Sequence, residues 1–347
     1  MSVIGGVIFH GIGASAASLC YTPEKKLVKW SWQTYWLAQA AVCWLILPIV
    51  GAYLTIPELM TVLDKAPIDA MWKAFGLGAV YGIGGTAFGL AIQNIGFSLT
   101  YAISIGISCV LGTLLPPWVR GELLTVLSQP GAEYIIAGMV MGVFGIAFCG
   151  VAGRFKEKDL QANDNSHGTF KLGKGLTLAI AAGVLSALYG FSLDQGQPIA
   201  DVAAEYGAGQ FQGNVIYIFS NTGAFLFSLI YCLYLHLKQG TLKEYTTTPD
   251  GNSRSLTFNY LLSGLTGLLW YSQFFFYGLG HTRMGDYKFS SWAIHMIMLV
   301  LFSALTGVFL KEWKGSSKRT VFALGFALII LVAAVIVLTV GNTYGAG

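Results

Sequence analysis

Along most of this chain apolar positions follow one another without the two-residue alternation of a half-buried strand or the polar stripe of a surface helix. Runs of about twenty mostly apolar residues recur, the length a helix needs to cross about 30 Å of hydrocarbon. Ten can be placed, at approximately 2–20, 32–54, 72–94, 97–118, 132–152, 174–193, 212–236, 257–280, 289–310 and 319–341. The pattern therefore predicts an all-α polytopic membrane protein with ten transmembrane helices. The third-to-fourth turn is very short. The link from Asp194 to Gln212 is polar and has room for an extra helical turn over ADVAAE (200–205). The first run lacks a basic n-region and a cleavage site, so it is expected to be a retained span rather than a signal peptide.

Charge orients these spans. The odd-numbered links hold fifteen of the twenty Lys and Arg residues and the even-numbered links five. Basic residues accumulate on the cytoplasmic side, so the odd links are expected inside and both termini outside.

The longest basic link, RFKEKDLQANDN from Arg154, separates five runs from five. This divides the chain into a first five-helix repeat (1–153), a basic cytoplasmic linker (154–173) and a second five-helix repeat (174–347). A slide of 189 residues superposes Gly78 on Gly267, Gly89 on Gly278 and Gly96 on Gly285, and also Tyr81 on Trp270 and Phe88 on Tyr277. Chance is a rival, because glycine is frequent here; the matches nevertheless fall at the same span turn in both halves. Five is odd, so the two repeats must be inserted in opposite orientations. Secondary transporters recurrently use this architecture, with substrate near mid-membrane.

Composition narrows the class further. Of 347 residues 55% are apolar and 10% charged, against roughly 25% charged in soluble domains. Mean hydropathy is +0.64. Disorder, a disulfide scaffold and a nucleic-acid binder are excluded, and the net charge of +4 is no polyanion footprint. The five cysteines (Cys20, Cys43, Cys109, Cys149, Cys232) lie in apolar stretches without a CxxC or Cys/His cluster. They read as free thiols, and neither a metal site nor a cofactor follows. HExxH, GxSxG and Walker motifs are missing, so catalysis is not expected.

Polar side chains inside spans are the candidates for chemistry, since lipid penalises them unless they are partnered or face water. Trp270, Gln273 and Tyr277 share one helix face by their spacing. An aromatic plate beside an amide suits a sugar, whose CH faces stack while its hydroxyls need hydrogen bonds. His10 lies about 12 Å into the first span and His295 roughly 10 Å into the ninth, from the same side. Each of these residues could instead serve as interhelical glue. Asn214, Asn221, Gln39 and Tyr189 are weaker candidates. His236 and His167, at or beyond the inner boundary, are expected to be solvated. No carboxylate lies at mid-membrane, and Asp194, Glu133 and Asp286 sit near the outer edge. For a proton-coupled carrier the titrating candidates are thus His10, His295 and Asp194. Trp30 and Trp32 read as interfacial anchors, GMVMG (138–142) as a small-residue packing face, and the tenth span as peripheral.

Five stretches are more specific: PEKKLVKWSW (23–32), WYSQFFFY (270–277), GHTR (280–283), SWAIHM (291–296) and LKEW (310–313). Through them the chain resembles, nearly end to end, the L-rhamnose–proton symporter family of the drug/metabolite transporter superfamily. The resemblance implies ten helices in inverted five-helix repeats and proton-driven uptake of a 6-deoxyhexose across the bacterial inner membrane. The chain departs from the family pattern at Gln33, where an acid usually stands, at Gln93, where a base often ends the third span, and at Asp194, which replaces a neutral residue.

The expectation is a monosaccharide–proton symporter. Its sugar is held by Trp270, Gln273 and Tyr277 with His10, Tyr81 and His295, and its partners are sugar, protons and the bilayer. A metabolite exporter on the same scaffold is the alternative. A non-transporting module that binds partners through its outer links is a third possibility, against which the polar face of the eighth span speaks.

Overall fold

A computed structural model of the protein describes residues 2–20, 22–95, 97–161, 171–247 and 253–344. Gly96 and His167, and the side chains of Gln93 and Asp286, lie outside the described residues. All regular structure among the described residues is helical. The long helices are α1 (Val3–Leu19), α2 (Trp32–Thr55), α3 (Ile68–Ile95), α4 (Phe97–Val119), α5 (Ala132–Gln161), α6 (Leu172–Gln195), α7 (Asn214–Gln239), α8 (Ser253–His281), α9 (Ser291–Phe309) and α10 (Lys318–Tyr344). Each expected run overlies one of them. Eight are long and apolar enough to cross a membrane. The other two differ: α1 is apolar but has 17 residues, and the 29-residue α8 carries Asn259, Ser263, Thr266 and Gln273. The extra turn expected after Asp194 is a short helix, Gln197–Glu205.

Helices prevail because in hydrocarbon each backbone N–H and C=O needs a partner, which a helix supplies within its own segment. Their ends need outside help. At the start of α2, Glu244 accepts hydrogen bonds from the Ser31 N–H at 2.8 Å, Ser31 Oγ at 2.7 Å and Thr34 Oγ1 at 2.5 Å. The middle of α2, Ala41–Ile46, is wound as a π-helix. Pro48 follows it and has no N–H to offer the preceding turn; the wider turn, closed by Leu47 N–H to Val42 O, accommodates that loss.

The helices group into two compact units, each drawing on both sides of the basic link. The first comprises Met1–Ser18, Gly84–Phe191 and Leu279–Gly347, and the second Leu19–Ile83 and Ser192–Gly278.

In the first unit the GMVMG stripe of α5 does pack closely, Gly138 on Leu338 and Ala334 of α10 and Gly142 on Ile297 of α9. The other face of α10, with Phe322, Ile329 and Ile336, is exposed, in keeping with a peripheral helix. Trp292 of α9 donates its indole N–H to Ser108 O at 2.9 Å, and Ser104 Oγ donates to Ala179 O at 2.8 Å.

In the second unit α3 meets α7 so closely that a side chain on Gly78 would strike the backbone of Ser220. Ser192 Oγ donates to Ala74 O at 2.8 Å beside this crossing. Gly267 of α8 likewise lies against Val42 of α2, where an added Cβ would stand 2.7 Å from the Val42 Cβ. Tyr35 OH donates to Thr266 Oγ1 at 2.8 Å there. Such hydrogen bonds between membrane helices contribute about 0.6–2 kcal/mol each. Of the five cysteines Cys149 is partly exposed and the others are buried.

Candidate functional site

The second unit holds the α8 face singled out by sequence. Trp270, Gln273 and Tyr277 are all buried on it, Gln273 keeping 9% of its surface accessible. Trp270 does not stand alone. Its ring meets Trp36 at 5.6 Å and Trp44 at 5.4 Å between centroids, both edge to face. Trp36 and Trp44 are themselves 6.1 Å apart, and Tyr81 of α3 meets Trp44 at 6.1 Å. Three indoles and a phenol from α2, α3 and α8 therefore line one place. The arrangement is a wall of aromatic rings with the Gln273 amide one turn further along α8, suited to a ligand with flat apolar faces and a hydroxylated rim.

Two features of the fold bring this about. The close approach at Gly267 brings α8 against α2 one turn before Trp270, and the π-helical stretch carries Trp44. Trp36 Nε1 is anchored to Ser228 Oγ of α7 at 3.4 Å. Immediately after Gln273, Tyr217 OH of α7 donates to Phe274 O at 2.6 Å and braces α8. Asp194 is half-buried at the end of α6, with Gln195 Nε2 donating to its Oδ2 at 3.3 Å. It is an electrostatic neighbour of Tyr277.

The first unit holds His10 and His295. They are 0% and 2% exposed, with ring centroids 5.8 Å apart in edge geometry. His281, last residue of α8, is an electrostatic neighbour of His10. The structure thus brings Trp270, Gln273, Tyr277, Tyr81 and Asp194 into one unit, and His10 with His295 into the other.

Among the weaker candidates, Asn214 Nδ2 donates to Thr55 Oγ1 at 2.9 Å. Tyr189 is buried with its ring 6.2 Å from Trp292. The solvated role expected for His236 is corrected. It is fully buried, with Nδ1 2.7 Å from Thr241 Oγ1 and Nε2 3.0 Å from Tyr245 OH. The chain beyond α7 turns back over it. Burial, the main cause, pushes the Tyr245 phenol above its ordinary range, so it stays protonated. Gln33, one of the departures from the family pattern, donates through Nε2 to Gln239 Oε1 at 3.0 Å and Thr241 Oγ1 at 2.9 Å. Trp30 Nε1 donates to Glu244 O at 3.0 Å.

Sequence reasoning missed Trp36 and Trp44. The available signal was their spacing of eight residues on one run, with a glutamine between them. His281 lay inside the GHTR stretch, but no role was attached to it.

A family model described as L-rhamnose-proton symport protein (RhaT) matches residues 1–343. The L-rhamnose-proton symporters of Yersinia pestis (strain Pestoides F) and Yersinia pseudotuberculosis serotype O:1b (strain IP 31758) are each 34% identical to this chain over 343 residues, covering 96% of it and 97% of the relative. With its polytopic pattern, and with match and identity running almost end to end, the chain belongs to the L-rhamnose-proton symport protein family, a family of transporters.

Proposed function

We propose that the protein takes up L-rhamnose or a related 6-deoxyhexose together with a proton across the bacterial inner membrane. Its Yersinia relatives, L-rhamnose-proton symporters by name, support both substrate and coupling ion. The observation that carries the reading is the meeting of Trp36, Trp44 and Trp270 inside apolar spans, with Gln273 one turn further along α8. A 6-deoxyhexose has CH faces and a methyl group for such a wall, and hydroxyls for the amide.

Ten spans in two inverted repeats (1–153 and 174–347) fit this reading, with linker 154–173 cytoplasmic and both termini periplasmic. Gly78 of α3 packs on α7, and Gly267 of α8 packs on α2. Under the repeat α3 matches α8 and α7 matches α2, so one contact is made twice. Tyr81 and Trp270, matched by the same offset, both touch Trp44. The two halves alternate access around the sugar. His10 and His295 carry the proton, and Asp194 is the remaining candidate. Coupling requires the sugar to prefer the protonated state by about 1–3 kcal/mol.

The test is uptake of labelled L-rhamnose into proteoliposomes under an inward proton gradient. The expected result is accumulation above equilibrium that a protonophore abolishes. A gradient that drives no 6-deoxyhexose inward overturns the reading.

A further inference from the structure

Almost every polar side chain on the inner half of α2 has a partner. Gln33 bonds to Gln239 and Thr241, Thr34 to Glu244, Tyr35 to Thr266 and Trp36 to Ser228. Gln39 and Trp44 do not. Gln39 is 0% exposed, and neither Oε1 nor Nε2 has a hydrogen-bond partner; Trp44 is 1% exposed, and its Nε1 has none either. Buried amides left unpaired destabilise a fold, and few are retained.

Position ties these two groups to the aromatic wall. Gln39 is three residues after Trp36. Its backbone carbonyl lies 2.9 Å from where a Cβ on Gly267 would stand, one turn of α8 before Trp270. Trp44 is five residues after Gln39. In an α-helix that separation would turn it about 140° away around the axis. Trp44 itself lies within the π-helical stretch Ala41–Ile46, whose bonds close five residues apart, so it is turned less far from the face of Gln39 than an α-helix would turn it. An unpaired amide and an unpaired indole N–H thus lie close together along α2, the indole belonging to the aromatic wall and the amide following Trp36 of that wall by three residues.

We infer that Gln39 and the Trp44 indole N–H form a hydrogen-bonding arm on α2 that holds neighbouring hydroxyls of a monosaccharide against the Trp270 ring. The inference rests on the sugar reading above and adds to it the residues that recognise the hydroxyls. A glutamine amide offers two donors and an acceptor, which two adjacent hydroxyls can engage together. The indole N–H donates to a third oxygen. When the sugar leaves, these groups lose their partners, so the arm favours occupancy of the site over an empty, dry one.

The test measures L-rhamnose binding by calorimetry to the full-length protein in nanodiscs, alongside thermal unfolding without sugar. Parent, Gln39→Leu and Trp44→Phe are compared. Leucine fills much of the space of glutamine without its amide, and phenylalanine keeps an aromatic ring without the N–H. Both variants are expected to bind at least about tenfold and severalfold more weakly, respectively, while unliganded Gln39→Leu unfolds at the parent's temperature or higher. A purely structural amide predicts the reverse: a lower unfolding temperature with unchanged affinity. Parent-like affinity in both variants overturns the inference and leaves the sugar reading intact. A Gln39→Leu chain that does not fold also overturns it, because the fold would then need the amide. A parent protein that binds no 6-deoxyhexose overturns the sugar reading, and the inference with it.

Discussion

Trp44 and Trp270 meet edge to face, with centroids 5.4 Å apart and planes at 73°. One comes from the π-wound part of α2 and the other from the polar face of α8. Aromatic pairs of this kind contribute about 0.5–1.5 kcal/mol beyond their burial. Truncating a buried tryptophan to alanine costs about 3–5 kcal/mol, which would confuse binding with folding. Trp270→Phe keeps a ring in the wall and is the informative change. It is expected to raise the half-saturating L-rhamnose concentration about tenfold with unfolding temperature near the parent's. An unchanged half-saturation in proteoliposome uptake would remove Trp270 from the site.

Gln273 makes a separate prediction. L-rhamnose at about 100 times its dissociation constant should stabilise the purified protein by about 2.7 kcal/mol through mass action. Gln273→Ala is expected to lose most of that thermal shift at the same sugar concentration. A full shift in the variant would return Gln273 to the role of interhelical glue.

The adjacent rings of His10 and His295 predict a split between coupling and exchange. His10→Ala and His295→Ala should each reduce accumulation driven by a proton gradient, whereas sugar-for-sugar counterflow across the same vesicles persists. Undiminished accumulation in both variants would exclude the pair and leave half-buried Asp194 as the titrating group.

Gly78 and Gly267 predict matched defects. A side chain at either would strike the facing helix, and overpacking of this kind costs about 1–3 kcal/mol. Gly78→Val and Gly267→Val should each lower the unfolding temperature by several degrees. Gly264, which has nothing within 4 Å of its Cβ position, is the control, and Gly264→Ala should leave the temperature unchanged or slightly raised. Indifference to valine at 78 and 267 would refute the two close crossings.

The course of the helices was legible because a span is a long-range average. Twenty apolar residues outweigh a few polar ones, so even α8, with Gln273 and Asn259 inside it, stood out between charged links. The faces of the helices were legible only where polar residues marked them. Trp270, Gln273 and Tyr277 announce a common face by their spacing. Trp36 and Trp44 do not, because an indole in an apolar run looks the same whether it meets lipid or another ring. The π-helical stretch that carries Trp44 shifts the register by a fraction of a turn, which no 3.6-residue periodicity reveals. His236 was misplaced for a related reason. Its distance from the span centre was readable, but not the return of Thr241 and Tyr245 over it, since that depends on the course of a polar link.

The polarity of α8 also bears on biogenesis. α10, with mean hydropathy 3.2, can leave the translocon for lipid on its own. α8 is not among the helices apolar enough to do so readily, and it is synthesised well after α2. On the ten-span reading proposed above, its retention draws on the docking of Gly267 and Thr266 onto α2. Damage to that docking would appear first as a misinserted, degraded chain, before any transport defect could be measured. The segment proposed for ligand contact is thus also one whose membrane insertion leans on its neighbours.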